Sequence, residues 1–143
     1  MRSLTRNKQK MFYALQTDEE IPVYKRDEHG EIVYRTVGGV RVPVETGTYE
    51  LGYSDAVEFY NGISGELQAY ELQAFGVDNS DGYAKMTYPR GKFPFQLGTL
   101  IWKKSEVKYV AFRVDPKSAD YQVVAIRDED LDEWSVLLKR ILK

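Results

Sequence analysis

Residues 21–44 read IPVYKRDEHGEIVYRTVGGVRVPV, three short runs rich in valine, isoleucine and tyrosine that are separated by two turns. Such residues favour strands, and Gly30 can adopt the positive φ that a tight turn requires. A pair of glycines marks the second turn. Pro43 cannot donate a backbone hydrogen bond, so the third run, residues 40–44, belongs at a sheet edge or in an extended arm. The stretch therefore predicts a hairpin over 21–37 followed by an edge strand.

The same kind of run recurs along the rest of the chain, which carries eleven tyrosines, six phenylalanines and two tryptophans. Short runs of this composition, bounded by turn residues, are typical of sandwiches and small barrels and not of repeated βαβ units. With 143 residues, the chain can bury its own core, and a single domain over 1–143 is expected. The further predicted strands are 11–15, 56–60, 84–88, 99–103, 109–114 and 121–127.

Two segments fit a helical period better than an alternating one. Residues 66–75 carry apolar side chains among helix formers, which predicts one or two helical turns. Near the C-terminus, Leu131, Trp134 and Leu138 recur with a spacing close to one helical turn. The pattern alone therefore favours a C-terminal helix.

The composition excludes several kinds of chemistry. There is no cysteine, which excludes a disulfide framework, a thiolate metal site and a cysteine nucleophile. Twenty basic and 22 acidic side chains give a net charge of −2. Without an overall basic field, any contact with DNA is expected to be local or made through a partner. No window is apolar enough for a secretory segment or a membrane span, so no membrane partner is expected.

Candidate catalytic and metal-binding residues are scarce. His29 is the single histidine, and its place beside Gly30 predicts a solvated turn residue instead of a Ser-His-Asp relay or a multi-histidine metal site. Asp78 and Asp81 are spaced as at the start of a calcium loop. Counted from Asp78, the twelfth position is Pro89, whereas a calcium loop has a bidentate glutamate there. A role in a turn therefore explains these aspartates better. We expect no enzymatic activity, no cofactor and no metal, and a hydrolase with paired carboxylates has little support.

The segment 76–98 is rich in turn residues and charges, and several of its aromatic residues look exposed. Long connections in compact domains are usually functional, and aromatic side chains are frequent in protein interfaces. Phe93 and Phe95 follow a lysine and precede a glutamine, which argues against a core role for them. We interpret the segment as a long working loop flanked by the strand 84–88.

Two charged segments lie at the ends of the chain. The basic arm, residues 1–10, has three interpretations: a disordered terminus, contact with DNA phosphates, or docking onto a partner. The acidic run at 128–133 is either a solvated turn that protects a sheet edge or a patch that docks the basic arm of a neighbouring subunit. Docking would suit head-to-tail self-association or a ring. The residues concerned are Arg2, Arg6, Lys8 and Lys10 in the arm and Asp128, Glu129, Asp130, Asp132 and Glu133 in the acidic run.

Five stretches, taken in order, are similar to a known family. They are MRSLTRNKQKMFYAL at 1–15, ISGEL at 63–67, QAFG at 73–76, the pair Ile101-Trp102, and ADYQVV at 119–124. Over nearly the whole chain they resemble the small head–tail connector proteins of the head-closure, or stopper, type found in long-tailed bacteriophages. None of the five stretches is catalytic.

The resemblance implies a fold, a location and a set of partners. The fold would be mainly β, a small closed or partly open antiparallel β-barrel with a long inter-strand loop and at most one or two short helices. The final segment would be a strand of this barrel, against the helical period. The protein would form a homo-oligomeric ring of six or twelve copies in the virion, assembled in the host cytoplasm. The ring would lie below the portal and its adaptor protein and contact the tail-completion or tail tube protein.

The resemblance also assigns roles by position. The loop region 66–98 would close the DNA channel and be the only part that touches packaged DNA, and the arm at 1–10 would reach the adaptor or a neighbouring subunit. As an alternative, Trp102, Trp134 and the tyrosines could stack on sugars in a monomeric β-sandwich that binds a carbohydrate or another ligand. The channel-loop residues would be Asp78, Asp81, Tyr83, Arg90, Lys92, Phe93 and Phe95.

Overall fold

The described part of the chain is almost entirely β. The structure, a computed structural model, describes residues 9–63, 73, 75–76, 82–128 and 131–141. Within these residues lie twelve strands and one 3-10 helix, Pro116–Ser118. The strands are β1 (Gln9–Ala14), β2 (Gln16–Tyr24), β3 (Tyr34–Val37), β4 (Val40–Pro43), β5 (Glu45–Tyr53), β6 (Val57–Asn61), β7 (Tyr83–Pro89), β8 (Leu100–Trp102), β9 (Tyr109–Val110), β10 (Arg113–Val114), β11 (Tyr121–Arg127) and β12 (Glu133–Arg140).

Six of the strands form one curled sheet. Their order is β6-β1-β8-β11-β12-β7, and every neighbouring pair is antiparallel. The sheet bends into a half-barrel, so the prediction of a mainly β fold with a partly open antiparallel barrel is confirmed.

The two terminal strands of this sheet, β6 and β7, are joined by a hydrogen bond from a side chain to a backbone carbonyl. Asn61 on β6 is buried, and its Nδ2 donates to the carbonyl oxygen of Thr87 on β7 at 3.1 Å. Inward-facing side chains alternate along β7, as the period of a strand requires. The core cluster enclosed by the sheet consists of Met11, Phe59, Ala84, Met86, Tyr88, Phe95, Ile101, Val123, Val136 and Leu138.

Five aromatic rings fill the space near β6 and β7. We call Tyr13, Phe59, Tyr88, Phe93 and Phe95 the aromatic cluster. Their paired ring centroids lie 5.0–5.5 Å apart, mostly in the edge-to-face arrangement that aromatic pairs prefer. Phe95 is 7% exposed and Phe93 is half-buried. The prediction that these two rings are exposed is wrong, because the chain after β7 turns back and packs both onto Tyr88.

The C-terminal segment is a strand, β12, and the helix predicted from its period is wrong. β12 lies between β11 and β7, and Val136, Leu137 and Leu138 are consecutive and all buried. A strand covered on both faces loses the alternation of a half-exposed strand, so its apolar residues can match a helical period. Two residues of the other predicted helical segment, 66–75, are described, and both are helical.

Between β1 and β6 the chain leaves the sheet and returns. β1 and β6 pair with each other, so residues 16–53 project as an excursion, which we call the ribbon. In the ribbon β2 pairs with β5 and β3 pairs with β4, where Val37 opposes Val40 across the glycine turn. The predicted hairpin is right only at its tip, where Arg26 bridges Ile32. The glycine turn gives β3 the partner β4, which leaves β2 to pair with β5.

Candidate interaction surface

Two ion pairs hold the ribbon against the rest of the molecule. Arg26 Nη2 lies 2.6 Å from Asp115 Oδ1, and Arg113 Nη2 lies 2.6 Å from Glu19 Oε1. Asp115 is buried, and its Oδ1 also accepts the backbone N–H of Lys117 at 3.0 Å. The hydrogen bond and charge of the Arg113 guanidinium lower the pKa of Glu19. These charge-assisted bonds connect the ribbon to β10 and to the residue that follows it.

Much of the ribbon is exposed on both faces. The first seven residues of β5, 45–51, are all exposed. Successive side chains of a strand point to opposite faces, so neither face of this run is covered. Apolar side chains gathered on one projecting element are typical of an interaction surface. Those of the ribbon that are exposed are Tyr34, Val37, Val40, Tyr49 and Leu51.

The predicted strand 109–114 is in fact a two-stranded hairpin with a strained tip. Val110 pairs with Arg113, and Ala111 and Phe112 form the turn between them with φ of 51° and 68°. A two-residue turn with both φ values positive normally uses Asn-Gly or Gly-Gly, because other L-residues are strained there. The Phe112 side chain is fully exposed. The sequence gives no signal for this turn, since neither residue is a turn former.

Relief of this strain is measurable. Replacing Phe112 by glycine is expected to raise the free energy of unfolding by about 0.5–1 kcal/mol, because glycine adopts the positive φ freely and an exposed ring contributes no burial. Urea unfolding followed by circular dichroism, at a protein concentration at which the chain is monomeric, measures the change. Tyr109→Gly is the matched control: Tyr109 is half-exposed in β9, where glycine is expected to lower stability. A Phe112→Gly protein less stable than wild type would contradict the assignment of strain to this turn.

A small cleft with both apolar and charged lining residues separates the ribbon from the β9–β10 hairpin. Its volume is about 70 Å³. Pro22 and Tyr24 line it from the ribbon, and Val114 and Pro116 line it from the opposite side, with the exposed Lys117 beside them. A more open, polar cleft lies next to it on the side of the Asp27–Gly30 turn.

The segment that leads into the hairpin is clamped by one carboxylate. Asp120 Oδ2 accepts the backbone N–H groups of Lys103, Lys104 and Ser105 at 2.8–3.0 Å, and Oδ1 accepts the Ser105 hydroxyl at 2.7 Å. Burial raises the pKa of Asp120, but these hydrogen bonds together outweigh it and hold the pKa well below its usual range. Asp120 therefore ties the end of β8 to the start of β11.

The basic arm is described only at its end. Lys10 lies within β1, where its Nζ is 3.9 Å from Glu58 Oε1 and 5.7 Å from the Phe12 ring centroid. It is therefore part of the barrel wall, and the predicted arm boundary at residue 10 is wrong because pairing with β6 begins at Gln9. The remaining arm residues, Arg2, Arg6 and Lys8, lie outside the described residues.

The predicted channel-loop residues do not share one loop. Tyr83 begins β7 opposite Lys139 of β12, and Phe93 and Phe95 belong to the aromatic cluster. Arg90 and Lys92 are exposed and lie over aromatic faces. The Arg90 guanidinium carbon is 5.9 Å from the Trp134 ring centroid, and Lys92 Nζ is 5.4 Å from that of Phe93. Asp78 and Asp81 lie outside the described residues.

The acidic run is located at the turn between β11 and β12. Asp128 and Asp132 are exposed, and the carbonyl of Asp132 accepts the backbone N–H of Arg90 at 3.0 Å. Glu133 opens β12 opposite Pro89. Burial, with a smaller contribution from the Asp128 charge, raises the pKa of Tyr88 to about 12. The other two residues of the run, Glu129 and Asp130, lie outside the described residues.

His29 and Trp102, two further candidates from the sequence, lie in different environments. His29 has an exposed side chain in the Asp27–Gly30 turn, so the prediction of a solvated turn residue is confirmed. Trp102 is buried, and its Nε1 donates to Ser118 Oγ at 2.9 Å. It offers no face to a sugar, against its role in the carbohydrate-binding alternative.

Neither a metal-binding cluster nor a membrane-spanning helix is found among the described residues. In residues 9–63, 73, 75–76, 82–128 and 131–141, histidine and carboxylate side chains form no group of three that could hold a metal ion. Across the same residues, no helix has the length and apolar character needed to cross a membrane. Comparison with family models, with curated proteins and with solved structures finds no match to this chain.

Proposed function

We propose that this protein is a structural, non-catalytic subunit of a phage head–tail connector, a homo-oligomeric ring that lies below the portal and adaptor and docks the tail. The phage connector function is taken from the resemblance of the five stretches. The structural observation that supports it is a half-barrel with a projecting ribbon that exposes apolar side chains. A connector needs a rigid frame and enough interface to hold its neighbours, and a stable protein interface buries about 1,200–2,000 Å². The half-barrel supplies the frame, and the ribbon supplies surface for contact.

In this proposal the ribbon replaces the segment 83–96 as the element that reaches outward. That segment contributes β7 and three of the five rings of the aromatic cluster, so it supports the frame. The tip of the β3–β4 hairpin, where the exposed Val37 and Val40 flank two glycines, is the part best suited to contact the adaptor or the tail protein. Residues 64–72 and 77–81, which include two of the predicted channel residues, lie outside the described residues.

The test combines the mass of the native protein with capture by portal complexes. The full chain is expected to form one closed oligomer by native mass spectrometry and to be retained by immobilised portal–adaptor complexes. The double substitution Val37→Ser and Val40→Ser is expected to weaken retention at least about tenfold, about 1.4 kcal/mol, because it removes apolar contact at the ribbon tip. Leu97→Ser, at an equally exposed site outside the ribbon, is the matched control. A protein that stays monomeric at every concentration and is not retained would overturn the proposal.

A further inference from the structure

We propose that the β9–β10 hairpin is the self-association element, and that Phe112 of one copy enters the cleft beside Pro22 and Tyr24 of the next copy. The inference rests on the proposed ring and names the contact that would build it. The partner of the hairpin is a second copy of this chain.

The first observation is that Phe112 costs the isolated chain stability. Both turn residues, Ala111 and Phe112, have left-handed backbone that glycine or asparagine would adopt more readily. The ring is fully exposed, so it gains no burial in return. Strain that stabilises nothing in the monomer points to a contact outside it, and aromatic side chains are the most frequent anchors of protein interfaces.

The second observation is that the same chain carries a cleft suited to such an anchor. The cleft holds about 70 Å³, and seven of its twelve lining residues are apolar or aromatic. The other five are charged, and they include the ion-paired Arg26 and Asp115. An apolar cavity of about 150 Å³ binds benzene. The cleft has about half that volume, so it has room for only part of a phenyl ring. Lys117 lines the cleft, and its ammonium group is suited to lie over an aromatic face.

The geometry requires a second copy. Phe112 lies in the two-residue turn at the tip of its hairpin, whereas Val110 and Val114, at the base of the same hairpin, line the cleft. A tip cannot fold back onto its own base across a two-residue turn, so each copy offers both a free knob and a free cleft. Repeated from copy to copy, such a tip-to-base contact is heterologous, and it builds a ring when the rotation closes.

The experiment uses two singly defective full-length proteins. Phe112→Ser removes the knob and keeps the cleft, whereas Pro22→Glu places a charge in the cleft and keeps the knob. Each is expected to raise the dissociation constant of self-association at least about tenfold. Mixed in equal amounts, they are expected to form a heterodimer through the one intact contact and to stop at two copies. Sedimentation velocity over a range of concentrations measures all three samples.

Two further variants keep the test independent of folding. Lys117→Trp alters the cleft from an exposed position and is expected to weaken self-association as Pro22→Glu does. Leu97→Ser removes an exposed apolar side chain outside the cleft lining and is expected to leave self-association unchanged. Thermal unfolding of each variant separates loss of contact from loss of fold.

The outcomes separate this inference from the proposed function. If the wild type forms an oligomer that Phe112→Ser does not weaken, the inference is wrong and the ring still stands. The tip-to-base contact is wrong if Phe112→Ser weakens the oligomer but neither cleft variant does. It is also wrong if the mixture gives no heterodimer. A wild type that stops at a dimer overturns the head-to-tail arrangement. An intact oligomer that portal–adaptor complexes do not retain counts against the connector function alone.

Discussion

Replacing Phe95 by alanine is expected to lower the free energy of unfolding by about 3–5 kcal/mol, the usual cost of deleting a buried phenylalanine ring. Phe95 is 7% exposed and packs edge-on against Tyr13, Phe59 and Tyr88 at centroid distances of 5.3–5.5 Å. These rings belong to β1, β6 and β7, so one substitution removes contacts with both ends of the curled sheet. We expect the surrounding rings to collapse only in part into the space that Phe95 leaves, and the remaining cavity adds to the loss.

Urea unfolding followed by tryptophan fluorescence measures this loss. Phe112→Ala, compared with wild type at a concentration at which both are monomeric, is the matched control, because it deletes the same ring from a fully exposed position. It is expected to change stability by less than about 0.5 kcal/mol. Equal midpoints for Phe95→Ala and wild type would show that the aromatic cluster does not support the barrel. The segment 83–96 would then again be a candidate for a removable loop.

Much of the barrel could be predicted from sequence because its strands are short, rich in β-branched and aromatic residues, and bounded by turn formers. The predicted strand 84–88 lies wholly within β7, and the predicted strand 121–127 coincides with β11. Local composition is sufficient for such strands. It is not sufficient where burial depends on a distant partner: Phe93 and Phe95 look exposed among polar neighbours, and only the return of the chain onto β7 buries them. The prediction for β12 was wrong for a related reason. This strand is covered on both faces, which removes the alternation of buried and exposed residues that marks a strand in a sequence.

The candidate surface was largely beyond sequence reasoning. The Arg26–Asp115 pair joins residues 89 positions apart, and no local pattern predicts such a pairing. Ala-Phe is not a turn sequence, so the strained tip at Phe112 is visible only in the backbone angles. The glycine pair at 38–39 was the one strong local signal in the ribbon, and it correctly marked the turn between β3 and β4.

Asp120→Asn is expected to lower the free energy of unfolding by about 2 kcal/mol at neutral pH, the scale of hydrogen bonds made to a charged group. The carboxylate accepts three backbone N–H groups and one hydroxyl, whereas a neutral amide of the same size carries no charge and has one acceptor oxygen. Asp120 is half-buried, and solvent screening keeps the effect below that of a fully buried carboxylate. Because Asp120 fixes the chain between β8 and the β9–β10 hairpin, we also expect faster amide exchange at Lys104 and Ser105.

The pH dependence gives the stricter test of this clamp. The pKa of Asp120 is lower in the folded protein than in the unfolded chain, where it is about 3.9. The charged form therefore favours folding, and its contribution is complete above about pH 5 and declines as the pH falls below the unfolded pKa. We expect the wild-type and Asp120→Asn proteins to differ most near neutrality and to approach each other in acid. Asp55→Asn, at an exposed carboxylate, should follow the wild-type curve throughout. Parallel pH curves for wild type and Asp120→Asn would show that the lowered pKa does not stabilise the fold.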